Sequence, residues 1–299
     1  MLVLADPNPR LRRKLIGESF PKGRDSVARE LDLAPGGRGG FMAELAVAMD
    51  AKVTYVTLLG GSSGVLYHEL LRQIPMTVKF HRLRDNTRES IVLEEGSKLT
   101  TVHTPSPRVT GEDISEFFQD YLEAVQEGQV VVAVPNELED DEDLTGGLIQ
   151  FAKREKTPIF VKYREGEFPK LSNLAAYGLV ISREDLKKLS GKEMTLIGEI
   201  GAFVREQMSH IPLVLVTGSK KGVLLFTPEK VLYGFFEDSE ELSLSHGGLL
   251  IGLACGMERN YGGEQLLKLS MATGATKVAD FAEIKGLMSR IEVQEMEVK

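Results

Sequence analysis

Glycine-rich turns and a few arginines carry most of the chemistry this sequence offers. Gly36-Gly37-Arg38-Gly39-Gly40 stands before the apolar pattern Leu45, Val47, Ala48. Glycines let a backbone approach a bound group closely, and a helix start presents unpaired N–H donors. An anion such as a phosphate suits that arrangement, and Arg38 adds positive charge. An ordinary glycine-rich turn before a core helix is the plainer alternative. Arg88 follows Asp85-Asn86-Thr87. Its planar guanidinium can grip a phosphate through two parallel hydrogen bonds, or it is a solvated strand arginine. Ser245-His246-Gly247-Gly248 opens a second apolar run ending near Met257. His246 could accept a proton near neutral pH, or cap the helix and face solvent. A Walker A sequence is absent. A G-x-G-x-x-G pattern read from Gly37 lands on Met42 and fails.

These residues need elements to hold them. Val53 to Leu59 reads as a buried strand closed by Gly60-Gly61. Gly111 to Glu127 reads as an amphipathic helix, with Ile114, Phe117, Phe118, Tyr121, Leu122 and Val125 on one stripe. Thr110 and Asp113 stand near its start in capping-box spacing. The acidic run Glu137 to Asp143 reads as a solvated loop and first helical turn. Strand-like runs at 129–134, 158–161, 178–181 and 212–216 alternate with helical stretches at 144–151, 183–189 and 194–208. A hairpin over 222–226 and 230–235 and two apolar helices, 247–257 and 265–275, complete the chain. That alternation predicts an α/β protein with a doubly wound, mainly parallel sheet. Residues 76 to 103 alternate apolar and polar in three consecutive runs, the period of strands with one wet face. They predict a small antiparallel sheet, with 12–35, inserted at about 12–35 and 76–105 into a single domain spanning 1–299. Such a sheet would serve as a lid or a dimer surface.

Composition bounds the function. The 299 residues carry 36 Lys and Arg against 44 Asp and Glu, a formal net charge of −8. That balance argues against non-specific binding to nucleic acid or anionic membrane. The longest apolar runs fall short of a membrane span, and the first residues do not read as a signal peptide. Cys255 is the one cysteine, so no intramolecular disulfide forms. It reads as a buried structural thiol, and a cytoplasmic setting fits.

The order of these pieces resembles the PfkB/ribokinase family of carbohydrate kinases, nearest the 1-phosphofructokinase and tagatose-6-phosphate kinase branch. The resemblance runs from about Asp6 to Val278. Asn8-Pro9 is similar to the family's Asn-Pro, with Arg12 at the position of its sugar-binding acid. Gly37, Arg38 and Gly39 match a glycine-rich sugar-binding turn, with Phe41 in place of its asparagine. Thr87-Arg88 is similar to a Thr-Arg whose arginine clamps a sugar phosphate. Ser182 and Asp185 stand where the family's Asn and Glu organise Mg²⁺. Thr217, Ser219 and Gly222 fall in the nucleotide-binding turn, for which a ligand-free hairpin turn is the alternative. Ser245, His246, Gly247 and Gly248 match the loop whose backbone N–H groups form an anion hole. There the catalytic aspartate is replaced by Gly247. The resemblance implies a ribokinase-like fold, ATP and Mg²⁺ as cofactors of an active enzyme, and a phosphorylated sugar or nucleotide as partner. Three readings stay open: a degenerate kinase that binds ligand with little phosphoryl transfer, an active phosphosugar kinase with His246 as a displaced base, and a non-catalytic protein that dimerises through the lid sheet.

Overall fold

The computed structural model describes residues 1–134, 144–164, 174–218, 222–237 and 243–297. The chain opens with β1 (Leu2–Asp6), passes Pro7-Asn8-Pro9, and forms β2 (Arg10–Gly17) and β3 (Glu30–Gly36) before α1 (Gly37–Ala48). Next come β4 (Val53–Gly60), α2 (Gly61–Leu71), β5 (Thr77–Leu83), β6 (Arg88–Glu95) and β7 (Lys98–His103). Then follow α3 (Gly111–Glu127), β8 (Val130–Ala133), α4 (Leu144–Arg154), β9 (Ile159–Lys162) and β10 (Gly178–Ser182). After α5 (Arg183–Ser190), α6 (Ile197–Met208) and β11 (Leu213–Thr217), the hairpin strands are β12 (Gly222–Phe226) and β13 (Val231–Phe236). The last elements are α7 (His246–Glu258), α8 (Gly263–Ala275), α9 (Phe281–Ser289) and β14 (Ile291–Met296).

One sheet runs β14-β13-β12-β11-β10-β9-β8-β1-β4-β5. It is parallel from β11 to β5 and antiparallel from β11 to β14. Alternate residues of β1 and β8 enter opposite cores. Leu2, Leu4, Val130 and Val132 pack with α1, α7 and α8, while Val3, Ala5, Val131 and Ala133 pack with α3, α4 and α6. Strands buried on both faces must be apolar throughout, which is why these runs read so clearly. The start of α3 carries the expected capping box. The Asp113 amide donates to Thr110 Oγ1 (3.3 Å), and the Thr110 amide donates to Asp113 Oδ2 (2.8 Å).

The second sheet runs β3-β2-β6-β7. It differs from the sequence expectation in two ways. β2 pairs with β6 in parallel, so the sheet is mixed rather than antiparallel. The strand at 77–83 is not part of it: β5 is the edge of the large sheet, parallel to β4. Its alternating pattern reports one wet face, and an edge strand of either sheet satisfies that. The lid strands therefore span 10–36 and 88–103. Among the described residues no helix is long and apolar enough to cross a membrane.

Candidate functional site

A parallel sheet opens a crevice where neighbouring strands send their connections to opposite sides. Here that point lies beside β1, flanked by β4 on one side and β8 on the other. β1 ends on Asp6, β9 on Lys162, β10 on Ser182 and β11 on Thr217. The starts of α1 and α7 and the first residues of the lid strands converge on the same end.

The glycine-rich turn is built on a buried acid. Gly37 has φ +73°, a left-handed conformation that glycine adopts without strain. Gly39 presses on β1, because a Cβ there would stand 1.9 Å from Asp6 Oδ2. Asp6 is only 3% exposed and accepts a 2.5 Å hydrogen bond from the Tyr55 hydroxyl. The Tyr67 hydroxyl lies 3.1 Å from that of Tyr55. Burial pushes the Asp6 carboxyl up to about 6, although Tyr55, the Asn8 backbone N–H, Arg10 and Arg38 all favour its ionised form.

The cations crowd together. Arg10 and Arg88 are register partners on β2 and β6. Arg88 Nε also donates to the Thr104 carbonyl at 3.1 Å. Burial lowers the Arg10 pKa, and Arg88 and Arg38 lower it further while Asp6 opposes them. Burial also lowers that of Arg38, with Arg164 adding to the effect and Asp6 opposing it. Guanidiniums that destabilise one another's charge are held where an anion would relieve them. Asn8, in the turn that joins β1 to β2, is 8% exposed, and its side-chain amide N and O both lack a partner among the described residues. Buried polar atoms are seldom left so.

The other wall is the start of α7. Ser245 caps it by accepting from the Gly248 amide at 3.3 Å, and Ser245 itself is exposed. His246 Nε2 pairs with Thr217 Oγ1 at 3.1 Å. Burial holds the His246 imidazole down to about 4, aided by Lys162 and Arg38 and opposed by Asp185. At neutral pH the ring is uncharged and a weak base. Gly247 and Gly248 are buried. A Cβ on Gly247 would meet Met42 Sδ at 2.9 Å, and one on Gly248 would meet the Thr273 carbonyl at 2.1 Å.

The geometry brings Thr217, His246, Arg38 and the lid arginines to one end of the sheet. Arg12 takes a different part: its Nη2 donates to Asp32 at 2.9 Å within the lid, and its charge also favours ionisation of half-buried Glu44. Gly222 begins β12, where a Cβ would fall 2.2 Å from the Gly234 carbonyl, so packing against β13 requires it. Ser219 and the acidic run 137–143 lie outside the described residues. Asp185 accepts from Ser182 Oγ (2.5 Å) and the Ser182 amide (3.2 Å), which commits one carboxylate oxygen to capping α5. The described residues alone do not form a site that would hold a divalent cation directly. Among the described residues no three His, Cys, Asp or Glu side chains gather, and the neighbours of His246 include Lys162 and Arg38. Cys255 is buried and its thiol is pushed up to about 12 by burial, so it is inert.

Sequence reasoning missed Asp6, Arg10, Lys162 and Arg164. The first three stand at the end or the beginning of strands around the crevice. A search of strand termini for polar residues would have found them.

No family model matches the sequence. Solved structures match over nearly the whole chain. A candidate phosphofructokinase of Staphylococcus aureus superposes with TM-score 0.85 at 14% identity, covering 100% of both chains. A candidate 1-phosphofructokinase of Thermotoga maritima gives 0.80 at 17%, covering 99% of each. Phosphofructokinase-2 of Escherichia coli, solved with fructose-6-phosphate, gives 0.81 at 15%, covering 96% of this chain and 98% of that one. Two layers of helices around a mainly parallel sheet, a four-stranded lid and these full-length superpositions identify the chain as a protein of the ribokinase-like fold.

Proposed function

We propose that the crevice binds a phosphorylated sugar or a nucleotide and transfers phosphoryl groups poorly. The observation that carries this reading is the crowding of Arg10, Arg38 and Arg88 around the glycine-rich turn, beside an Asn8 amide with no partner among the described residues. Arg10, Arg38 and Arg88 would hold a phosphate, with Gly37 and Gly39 allowing its close approach. Ser245, His246, Gly247 and Gly248 would supply backbone donors, and Thr217 and Gly218 would border a nucleotide. Poor transfer follows from the base position. Gly247 has no side chain, and His246 is uncharged and engaged with Thr217. Loss of a general base alone costs roughly 10²–10⁴ in rate. Fructose-6-phosphate bound to the Escherichia coli enzyme supports the choice of a phosphosugar.

Thermal melts with fructose 6-phosphate, ADP and ATP test the binding half, since a ligand of the native state raises the melting temperature by mass action. A rise that disappears in Arg38→Ala is expected; no rise with any of the three would overturn the reading. Coupled ATP turnover over a panel of hexose phosphates tests the other half. Turnover at ordinary kinase rates, abolished in His246→Ala, would establish the displaced base instead.

A second reading concerns assembly. Every residue of β7 is exposed, including Leu99 at 65% and Val102 at 53%, and Leu31 of β3 is 52% exposed. By register Leu31 and Val102 share one face of the lid and Leu99 lies on the other, and exposed apolar side chains on the lid favour a homodimer through it. Escherichia coli phosphofructokinase-2 has a tetrameric inhibited form. Light scattering of the wild type should give a dimer mass, and Leu99→Glu with Val102→Glu a monomer. A monomeric wild type at micromolar concentration removes this reading.

A further inference from the structure

One buried acid of the crevice has no part in the reading above. The Asp6 carboxylate lies under the backbone of Gly39 and accepts from Tyr55, which in turn meets Tyr67. Among the described residues, the elements around it present these titratable and charged groups. β2 presents Arg10, α1 presents Arg38, β4 presents Tyr55, and α2 presents Tyr67. Glu44 of α1 acts beyond Tyr67, and β8, with sequence VVVA, presents no titratable group. Asp6 therefore offsets the two guanidiniums best placed to hold a ligand phosphate.

We propose that Asp6 is the proton-accepting residue of the anion site, so that a dianion enters beside Arg10 and Arg38 together with one proton. This rests on the crevice being an anion site. A dianion and an ionised Asp6 compete for the same two guanidiniums, and Asp6 is shielded from water. Adding negative charge there favours the neutral acid. The step balances simply: the carboxylate takes one proton from solvent as the anion binds, and returns it when the anion leaves. Asp6 ionises close enough to neutrality for this to happen at physiological pH. At position 6 the sequence thus places a residue that tunes the strength of binding and its response to pH while leaving the ligand-contacting side chains unchanged.

Sulfate is a suitable probe, because it stays a dianion across the relevant range whereas a phosphate ester titrates. Binding to the full chain would be followed by calorimetry from pH 5.5 to 7.5, in two buffers of different ionisation enthalpy. The wild type should lose about tenfold in affinity over that range and take up about half a proton at its middle. Asp6→Asn should bind with no such dependence and no uptake. Tyr55→Phe removes a hydrogen bond that favours the ionised acid, so its window should move to higher pH. It also carries the test if Asp6→Asn does not fold. His246 and His103 lie near the same arginines and would also gain protons on anion binding. Proton uptake that persists in Asp6→Asn and is lost in His246→Gln or His103→Gln overturns the proposal. So does a window unmoved in Tyr55→Phe, or pH-independent binding by the wild type. Absence of sulfate binding at every pH overturns the crevice reading itself.

Discussion

Asp6 and His246 are two titratable groups whose burial works in opposite directions on stability. The folded state raises Asp6 from its ordinary 3.8 to about 6. Its contribution to stability is therefore full below 3.8 and is lost as pH rises through about 6. At pH 7 the ionised acid is a penalty, and Asp6→Asn is expected to stabilise the protein by up to about 3 kcal/mol. Urea melts at pH 7 and pH 4 check this, and the gain should vanish at the lower pH. His246 is lowered from 6.5 to about 4. Its contribution is present above 6.5 and is lost as pH falls through that window. His246→Gln should flatten the acid limb of the stability profile. Acid melts as steep as those of the wild type would contradict the assigned burial. Chemistry at this scale was only partly legible in the sequence. Arg38, Arg88 and His246 announce themselves by type and by their neighbours. Asp6 reads as an ordinary polar residue beside Pro7 until the fold brings Gly39 and Tyr55 over it. No local pattern records a contact made 33 or 49 positions away.

Among the elements, α7 is the one most constrained by its glycines. Gly248, Gly252 and Gly256 recur every four residues, so they share one face. A Cβ on Gly252 would stand 2.3 Å from the Ser270 Cα, so Gly252→Ala must push α7 off α8. A cost of about 1–3 kcal/mol is expected, read as a lower melting temperature. The same crowding bears on restoring an acid at the helix start. Gly247→Asp would drive its Cβ against Met42, so the single variant should be destabilised, and Met42→Ala should recover part of the loss. Melting curves of the two variants decide it, and an undisturbed single variant would show that α1 yields. Element identity was legible wherever burial on both faces forced an apolar run, as in β4, β8 and β11. It was less legible in β5, where period two gives exposure without naming the sheet. It failed for α9 and β14, whose IEVQEM pairs with β13 although its residues are mostly partly or fully exposed.

For the molecule as a whole, the order of strands, turns and helices was enough to reach the fold although few single residues match. A fold depends on burial pattern spread over hundreds of residues, whereas a motif depends on a few side chains that function alone retains. The crossings between the lid and the large sheet have a mechanical consequence. Pro7-Asn8-Pro9 joins β1 to β2, and two of its three residues have φ fixed by a ring. Gly36 of β3 passes into Gly37 of α1 with no residue between them, and only residues 84–87 link β5 to β6. The longest crossing, 104–110, runs from β7 to α3. With three short straps and one longer one, the lid has little freedom to flap open. A tilt of the sheet about those straps would carry Arg10 and Arg88 together, since they are register partners. A tilt made to grip an anion on the face that carries Arg10 and Arg88 would displace Leu31 and Val102 on the opposite face, and a partner docked there would sense whether the crevice is filled.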